Sequence, residues 1–248
     1  MKKLAVLLFL LLPAACFGAD KYSQLLETAE NAFVDGDYAK VIELYETLVQ
    51  IEKVNDPSVY YNLSNAYYRN GQLGKAVVNI EKAFLLKPCD KDIKHNKRFL
   101  SIKAGVQEER GLYGFLNGIV NISSLNDFTV ITAVFFVIIL SLAALYIINK
   151  RKIFKTVILC IFPFLILSVV IISVKIKNEI FNITAVSLKD TSVRSGPGIN
   201  NPEIFNLLQG HKVYVLGENN GWTYISTKSK SEELSGWAES GSIEKING

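Results

Sequence analysis

Hydrophobic residues along this chain follow three different patterns: unbroken runs, helical spacing and short alternation. Unbroken runs occupy residues 4–12, 128–148 and 156–174. Over residues 21–103 the apolar positions recur every three or four residues, which predicts amphipathic helices. Over residues 184–246 they form short β-prone runs separated by Gly and Asn turn signals, which predicts strands at 184–188, 212–217, 222–227 and 236–238.

The runs differ in meaning because they differ in length. Residues 4–12 make only about 14 Å of helix, too short for a bilayer core. They follow Lys2-Lys3 and precede the small residues around Gly18-Ala19, as in a secretory signal peptide over residues 1–18. Two other readings exist: a lipoprotein signal with Cys16 acylated, and an uncleaved anchor. Residues 128–148 carry no charge and give about 31 Å of helix, a bilayer-core length. Residues 156–174 are slightly shorter and contain Pro163, which predicts a kink. The loop 149–155 between them holds Lys150, Arg151, Lys152 and Lys155, and such a loop stays in the cytoplasm. Both flanks then lie outside, in agreement with the leader.

The helical region repeats itself. Gly36-Asp37-Tyr38 returns as Gly71-Gln72-Leu73, 35 positions later, and each turn leads into an apolar-periodic helix. Val41, Tyr45 and Leu48 define the first such helix, and Ala76, Ile80 and Ala83 the second. A helix–turn–helix period near 34 resembles the tetratricopeptide repeat. Tyr60, Leu63, Ser64, Tyr67, Ala76, Ile80, Ala83 and Pro88 fall on that family's signature positions in the second unit. The first unit departs at Thr28, Ala32 and Lys53. A further helix over residues 91–103, with Ile93, Asn96 and Leu100 on one face, is read as the cap of the stack. The resemblance implies a concave groove displaying Tyr61, Asn65, Tyr68 and Arg69, continued by Lys94 and Arg98. Aromatic, amide and cationic groups together suit an extended peptide with acidic groups or a carboxylate. The alternative is that they are solvated helix-face residues, with Tyr61 packed.

The C-terminal strands carry Val193-Arg194-Ser195-Gly196-Pro197-Gly198, then Leu207-Leu208-Gln209-Gly210, Asn220-Gly221-Trp222 and Gly236-Trp237. In order and spacing this is similar to the bacterial SH3 domain. Asn220-Gly221 favours a hairpin turn with positive φ. Val213, Val215, Tyr224 and Ile225 are expected in or near the core, and 228–233 reads as a solvated polar loop. Trp222 and Trp237 pack as core and rim, or else line a ligand face for peptide or glycan.

Charge and chemistry narrow the function. The net charge is a modest +4, and no basic stripe interleaved with aromatics appears, so no nucleic-acid partner is expected. Three cysteines at 16, 89 and 160 contain no CxxC pair. His95 and His211 are the only histidines and lie in different modules. Neither belongs to an HExxH arrangement, and no Gly-rich phosphate loop occurs. The sequence therefore argues against an enzyme, with no catalytic, metal or cofactor residues expected.

The resulting fold class is a multidomain membrane protein: an all-α tetratricopeptide helical repeat, a transmembrane helix hairpin and an all-β SH3-like barrel. Its expected parts are the leader 1–18, the repeats with their cap 19–103, a connector 104–127 that could lie along the membrane surface, spans 128–148 and 156–174 around the loop 149–155, a linker 175–183 and the barrel 184–246. This order resembles the BatE family of aerotolerance-operon proteins. The resemblance implies a bacterial inner-membrane protein with both soluble modules on the periplasmic side. It implies partners among periplasmic or membrane proteins, including von Willebrand factor A-domain proteins, and a role under oxidative stress. Peptidoglycan binding by the SH3 module is the alternative.

Overall fold

The computed structural model describes residues 22–50, 53–106, 118–229 and 232–247. The leader with Cys16 and residues 107–117 of the connector lie outside the described residues.

Among the described residues five helices come first: α1 (22–34), α2 (Tyr38–Gln50), α3 (Pro57–Arg69), α4 (Leu73–Leu86) and α5 (Lys91–Lys103). Their ends follow from local chemistry. Asp56 caps α3 by accepting from the Ser58 N–H, with Pro57 in the first turn where no N–H is needed. Asp90 caps α5 through the Asp92 and Ile93 N–H groups. Gly36 and Gly71 both sit at φ +77°, and after each the chain turns back with the same bond: Asp37 N–H to Ala32 O and Gln72 N–H to Tyr67 O, both 2.9 Å. Two helix pairs thus repeat one turn geometry.

The pairs pack through small residues. Ala29, Ala66, Ala76 and Ala83 are fully buried, which lets the backbones approach closely. Ser64 is buried as well, and its hydroxyl donates to the Ala76 carbonyl at 2.7 Å. Leu48, Val59, Leu63, Ile80, Ile93 and Leu100 fill the core between them.

Two long helices follow, α6 (Leu125–Asn149) and α7 (Lys152–Ile176). Both are long and apolar enough to cross a membrane. They run beyond the apolar stretches that betray them. Ser124 and Asp127 form a reciprocal capping box that starts α6 before the apolar run begins. The link between the helices is only Lys150-Arg151, with Lys150 left-handed at φ 54°, so most of the basic loop is helical. The chain through 175–183 is not an extended linker either: α7 continues to Ile176 and runs into a π-helical turn, Lys177–Phe181.

Among the described residues seven antiparallel strands follow: β1 (Thr184–Ser187), β2 (Thr191–Arg194), β3 (Glu203–Leu207), β4 (Lys212–Asn219), β5 (Trp222–Ser229), β6 (Glu232–Glu239) and β7 (Ile243–Lys245). The sheet order is β3-β2-β6-β5-β4-β1-β7. Asn220 and Gly221 both take positive φ between β4 and β5, as their sequence suggests. The solvated loop expected at 228–233 is corrected at its described residues: Lys228 pairs with Glu233 and Ser229 with Glu232, extending the β5–β6 ladder. Ala185, Val193, Leu207, Val213, Ile225 and Ala238 form the barrel core. Val215 is partly buried against it, whereas Tyr224 lies half-buried on the other face.

The helical stack and the barrel are not separate bodies. Val186 of β1 and Ile246 are buried in the same cluster as the helical core, and Leu188 packs against it. Gly74 of α4 meets the β1 end so closely that a methyl group there would lie 2.6 Å from Leu188 Cα. A second glycine, Gly210, comes as near to Ala104. At the foot of this assembly the buried Lys175 ammonium bonds Glu179 at 2.7 Å and the Val120 carbonyl at 3.3 Å. Asn247 ties Thr184 to Asn182, its side-chain oxygen accepting from the Thr184 N–H at 2.8 Å. Contacts from the connector and the barrel therefore converge on the end of α7.

Candidate functional site

The groove residues divide once their neighbours are known. Tyr68 on α3 meets Phe99 on α5 edge to face, ring centroids 5.2 Å apart. Asn65 accepts from the Asn96 amide at 2.6 Å, so its side-chain oxygen ties α3 to α5. Tyr61 and Tyr68 are half-buried and pack against the helical core. Arg69, Lys94 and Arg98 are exposed. Around them lie Phe99, Ile102 at 64% exposure and Lys103, whose ammonium sits 5.5 Å from the Phe99 ring centre. Tyr68, Phe99 and Arg69 thus form an aromatic and cationic surface where α3 and α5 meet. Phe99 and Ile102 escaped the sequence reading, because a capping helix was expected to show only polar residues outward.

Two other polar residues of the stack serve packing. Tyr67 donates a hydrogen bond to Glu46, and burial raises its hydroxyl above the ordinary value. Tyr45 accepts from the Asn62 amide at 3.1 Å. An open depression of about 370 Å³ runs along α2, lined by Ala39, Ile42, Glu43, Glu46, Thr47 and Gln50. It contains none of the expected groove residues.

On the barrel the register decides which side chains share a face. Trp237 pairs with Tyr224 on one side and Arg194 on the other, whereas Thr223, Ile225, Gly236 and Ala238 point into the interior. Trp222, Tyr224 and Trp237 therefore lie on the outer face. The rings of Tyr224 and Trp237 are 5.1 Å apart and tilted by 37°. Both residues are half-buried, so the pair forms a semi-exposed aromatic platform. Trp222 stands at the hairpin tip, opposite Asn219.

Arg194 builds the loop beside this platform. Its guanidinium donates to the Ile199 carbonyl at 2.9 Å, the Asn201 carbonyl at 2.8 Å and the Glu203 carboxylate at 2.9 Å. Asn201 in turn donates to the Pro197 and Gly198 carbonyls. Gly196 leaves room for the Asn201 side chain, which an added Cβ would meet at 2.9 Å. The segment between β2 and β3 is thus a loop folded around one arginine. Sequence reasoning placed Tyr224 in or near the core, and it lies half-buried on the outer face; Arg194 was given no role of its own.

The seam between stack and barrel contains a buried carboxylate. Glu81 accepts from Lys97 at 2.9 Å and Lys212 at 3.0 Å, and its side chain is 7% exposed. Burial alone would raise its carboxyl. The charges and hydrogen bonds of Lys212 and Lys97 overcome that and lower it to about 2. Lys97 also lies over the Phe84 ring at 3.7 Å. A second bridge, Lys82–Glu244 at 3.1 Å, crosses the same seam. These charges pair with each other and serve cohesion. Among the described residues no group of acidic, His or Cys side chains could hold a metal ion.

Residues 189–244 match the family described as bacterial SH3 domain, so the barrel is a bacterial SH3 domain. No curated protein matches the chain.

Proposed function

We propose that this protein is a membrane-anchored scaffold for protein–protein interaction, a binding protein rather than an enzyme. In this reading α1–α5 are a short tetratricopeptide stack. The repeated turn at Gly36 and Gly71 and the small buried residues Ala76 and Ala83 support it. One observation carries the proposal: the helical stack and the SH3 barrel share a seam, and α7 of the hairpin runs through the π-helical turn directly into the barrel. The extracytoplasmic side follows from the basic link at Lys150-Arg151. The BatE-like architecture adds the setting, an inner-membrane envelope complex linked to aerotolerance, with von Willebrand factor A-domain proteins as partners.

Capture of A-domain proteins by the full-length chain, against Tyr68→Ala and Arg69→Ala variants, tests the groove. Binding that survives both changes removes α3 and α5 from the reading. Reporter fusions after Asn149 should report cytoplasm and fusions after Asn247 the opposite side; the reverse pattern overturns the topology.

The second reading is a peptidoglycan-binding tether, supported by the SH3 match and the Tyr224–Trp237 platform. The intact protein should then co-sediment with purified peptidoglycan, and Trp237→Ala should abolish it. The intact chain is the right material, because a severed barrel exposes Val186 and Ile246.

A further inference from the structure

The handover from α7 to the barrel gathers exposed apolar side chains in one place. Ile180 and Phe181 of the π-helical turn are 58% and 75% exposed. Two residues later the Ile183 carbonyl accepts from the Val215 N–H at 2.8 Å. That bond brings β4 alongside the exit of the helix, with Tyr214 paired to Thr184. Leu216 follows at once. The register between β4 and β5 shifts between Val215 and Gly217, which makes Leu216 the extra residue of a bulge and turns it outward at 59% exposure. Tyr214 is 42% exposed beside it. Ile180, Phe181, Tyr214 and Leu216 therefore surround one joint.

The position of the joint says what covers it. Residues 156–174 carry no charge, so the edge of the apolar span falls near Lys175. The Lys175 ammonium is satisfied by Glu179 and the Val120 carbonyl, as suits a cation held at that edge. Phe181 lies six residues further, about 9 Å along a helix, next to a headgroup layer about 5–7 Å deep. A span tilted by about 40°, the upper end of the range for membrane helices, lowers that height to about 7 Å. Aromatic side chains with a polar tip, such as Tyr214, favour this level.

We propose that the SH3 barrel is seated on the bilayer crossed by α6 and α7, with Leu216, Tyr214, Ile180 and Phe181 bedded in the boundary between headgroups and acyl chains. The occupant of the patch is lipid, because the patch is continuous with a membrane-length helix.

The test uses the full-length protein with its three cysteines changed to Ser, reconstituted in vesicles containing lipid spin-labelled near the headgroup. A fluorophore is attached at Leu216→Cys or, separately, at Phe181→Cys. Val137→Cys in α6 calibrates lipid contact. Leu208→Cys is the distal control: it is 51% exposed and lies at the other end of β1, where Gly210 bonds Ser187. The expected result is quenching at Leu216 and Phe181 at least about twofold above Leu208, with blue-shifted emission. Quenching at Leu216 no greater than at Leu208 overturns the proposal, even if Phe181 is quenched. So does protection of Leu216 from both lipid and water, which would mean that a protein covers it.

Discussion

Glu81 of α4 and Lys212 of β4 touch at 3.0 Å although 131 residues separate them in the chain. Both membrane-length helices lie in that interval. The contact joins what the order of segments would keep apart. It does so with a carboxylate that Lys97 also holds, in a seam where Val186 and Ile246 supply the apolar contact.

Replacing Glu81 by Gln should therefore weaken the union of the two modules. Removing one partner of a buried ion pair strands the others, but Lys212 and Lys97 retain some access to water, so the cost should be roughly 2–3 kcal/mol. Thermal unfolding of the detergent-solubilised protein measures it. A double-mutant cycle of Glu81→Gln with Lys212→Met should show coupling between the two sites. Additive effects would mean that the contact contributes nothing.

The same carboxyl makes stability depend on pH. Its value is about 2 in the folded protein, against an ordinary 4.5. A depressed acid stabilises the fold above its unfolded value and loses that contribution as pH falls through the folded one. The Glu81 contribution, on the order of 3 kcal/mol, should be complete above about pH 4.5 and fade towards pH 2. Unfolding midpoints recorded over this window for wild type and Glu81→Gln should converge as pH falls.

Gly74→Ala separates propensity from packing. In an exposed helix the change should add about 1 kcal/mol of stability. Here the new methyl group meets the backbone at Leu188 and Ser187, so the variant should instead lose about 1–3 kcal/mol. Faster amide exchange in β1 and α4 would locate the damage. A variant as stable as wild type would show that the seam is not tightly packed.

Arg194→Ala should loosen the loop between β2 and β3. Three hydrogen bonds are lost from a side chain only 20% exposed, which should cost about 1–2 kcal/mol. Amide exchange over residues 195–201 should accelerate while that of β5 is unchanged. Arg194→Lys should not rescue it, since one ammonium cannot reproduce a fork spanning two carbonyls and a carboxylate.

How much of this was legible in sequence depended on how local each cause was. Caps, turns and runs are local. Asp56 and Asp90 start helices, Gly36 and Gly71 end them, and Asn220-Gly221 turns a hairpin. Those features, together with the two long apolar runs, could be read directly. Strands β2, β3 and β7 were not named, since each is short and its partners lie far away in the chain. Tyr224 and Ile225 are adjacent in an apolar run, and only register tells which one faces the core. Asn65 looked like a ligand-facing amide, but the chain alone could not show Asn96 within bonding distance.

The sequence by itself determined the parts: helical pairs, two membrane-length helices and an SH3 barrel. Spacing, caps and uncharged length act over a few residues, so they survive in one dimension. Only the tertiary structure decided that the stack and the barrel are one body. Gly74, Gly210, Glu81 and Lys212 carry no pattern of their own; each is an ordinary residue until the opposite surface arrives. Close approach and ion pairing depend on distance in space, and across this seam the chain brings together residues that lie far apart along it.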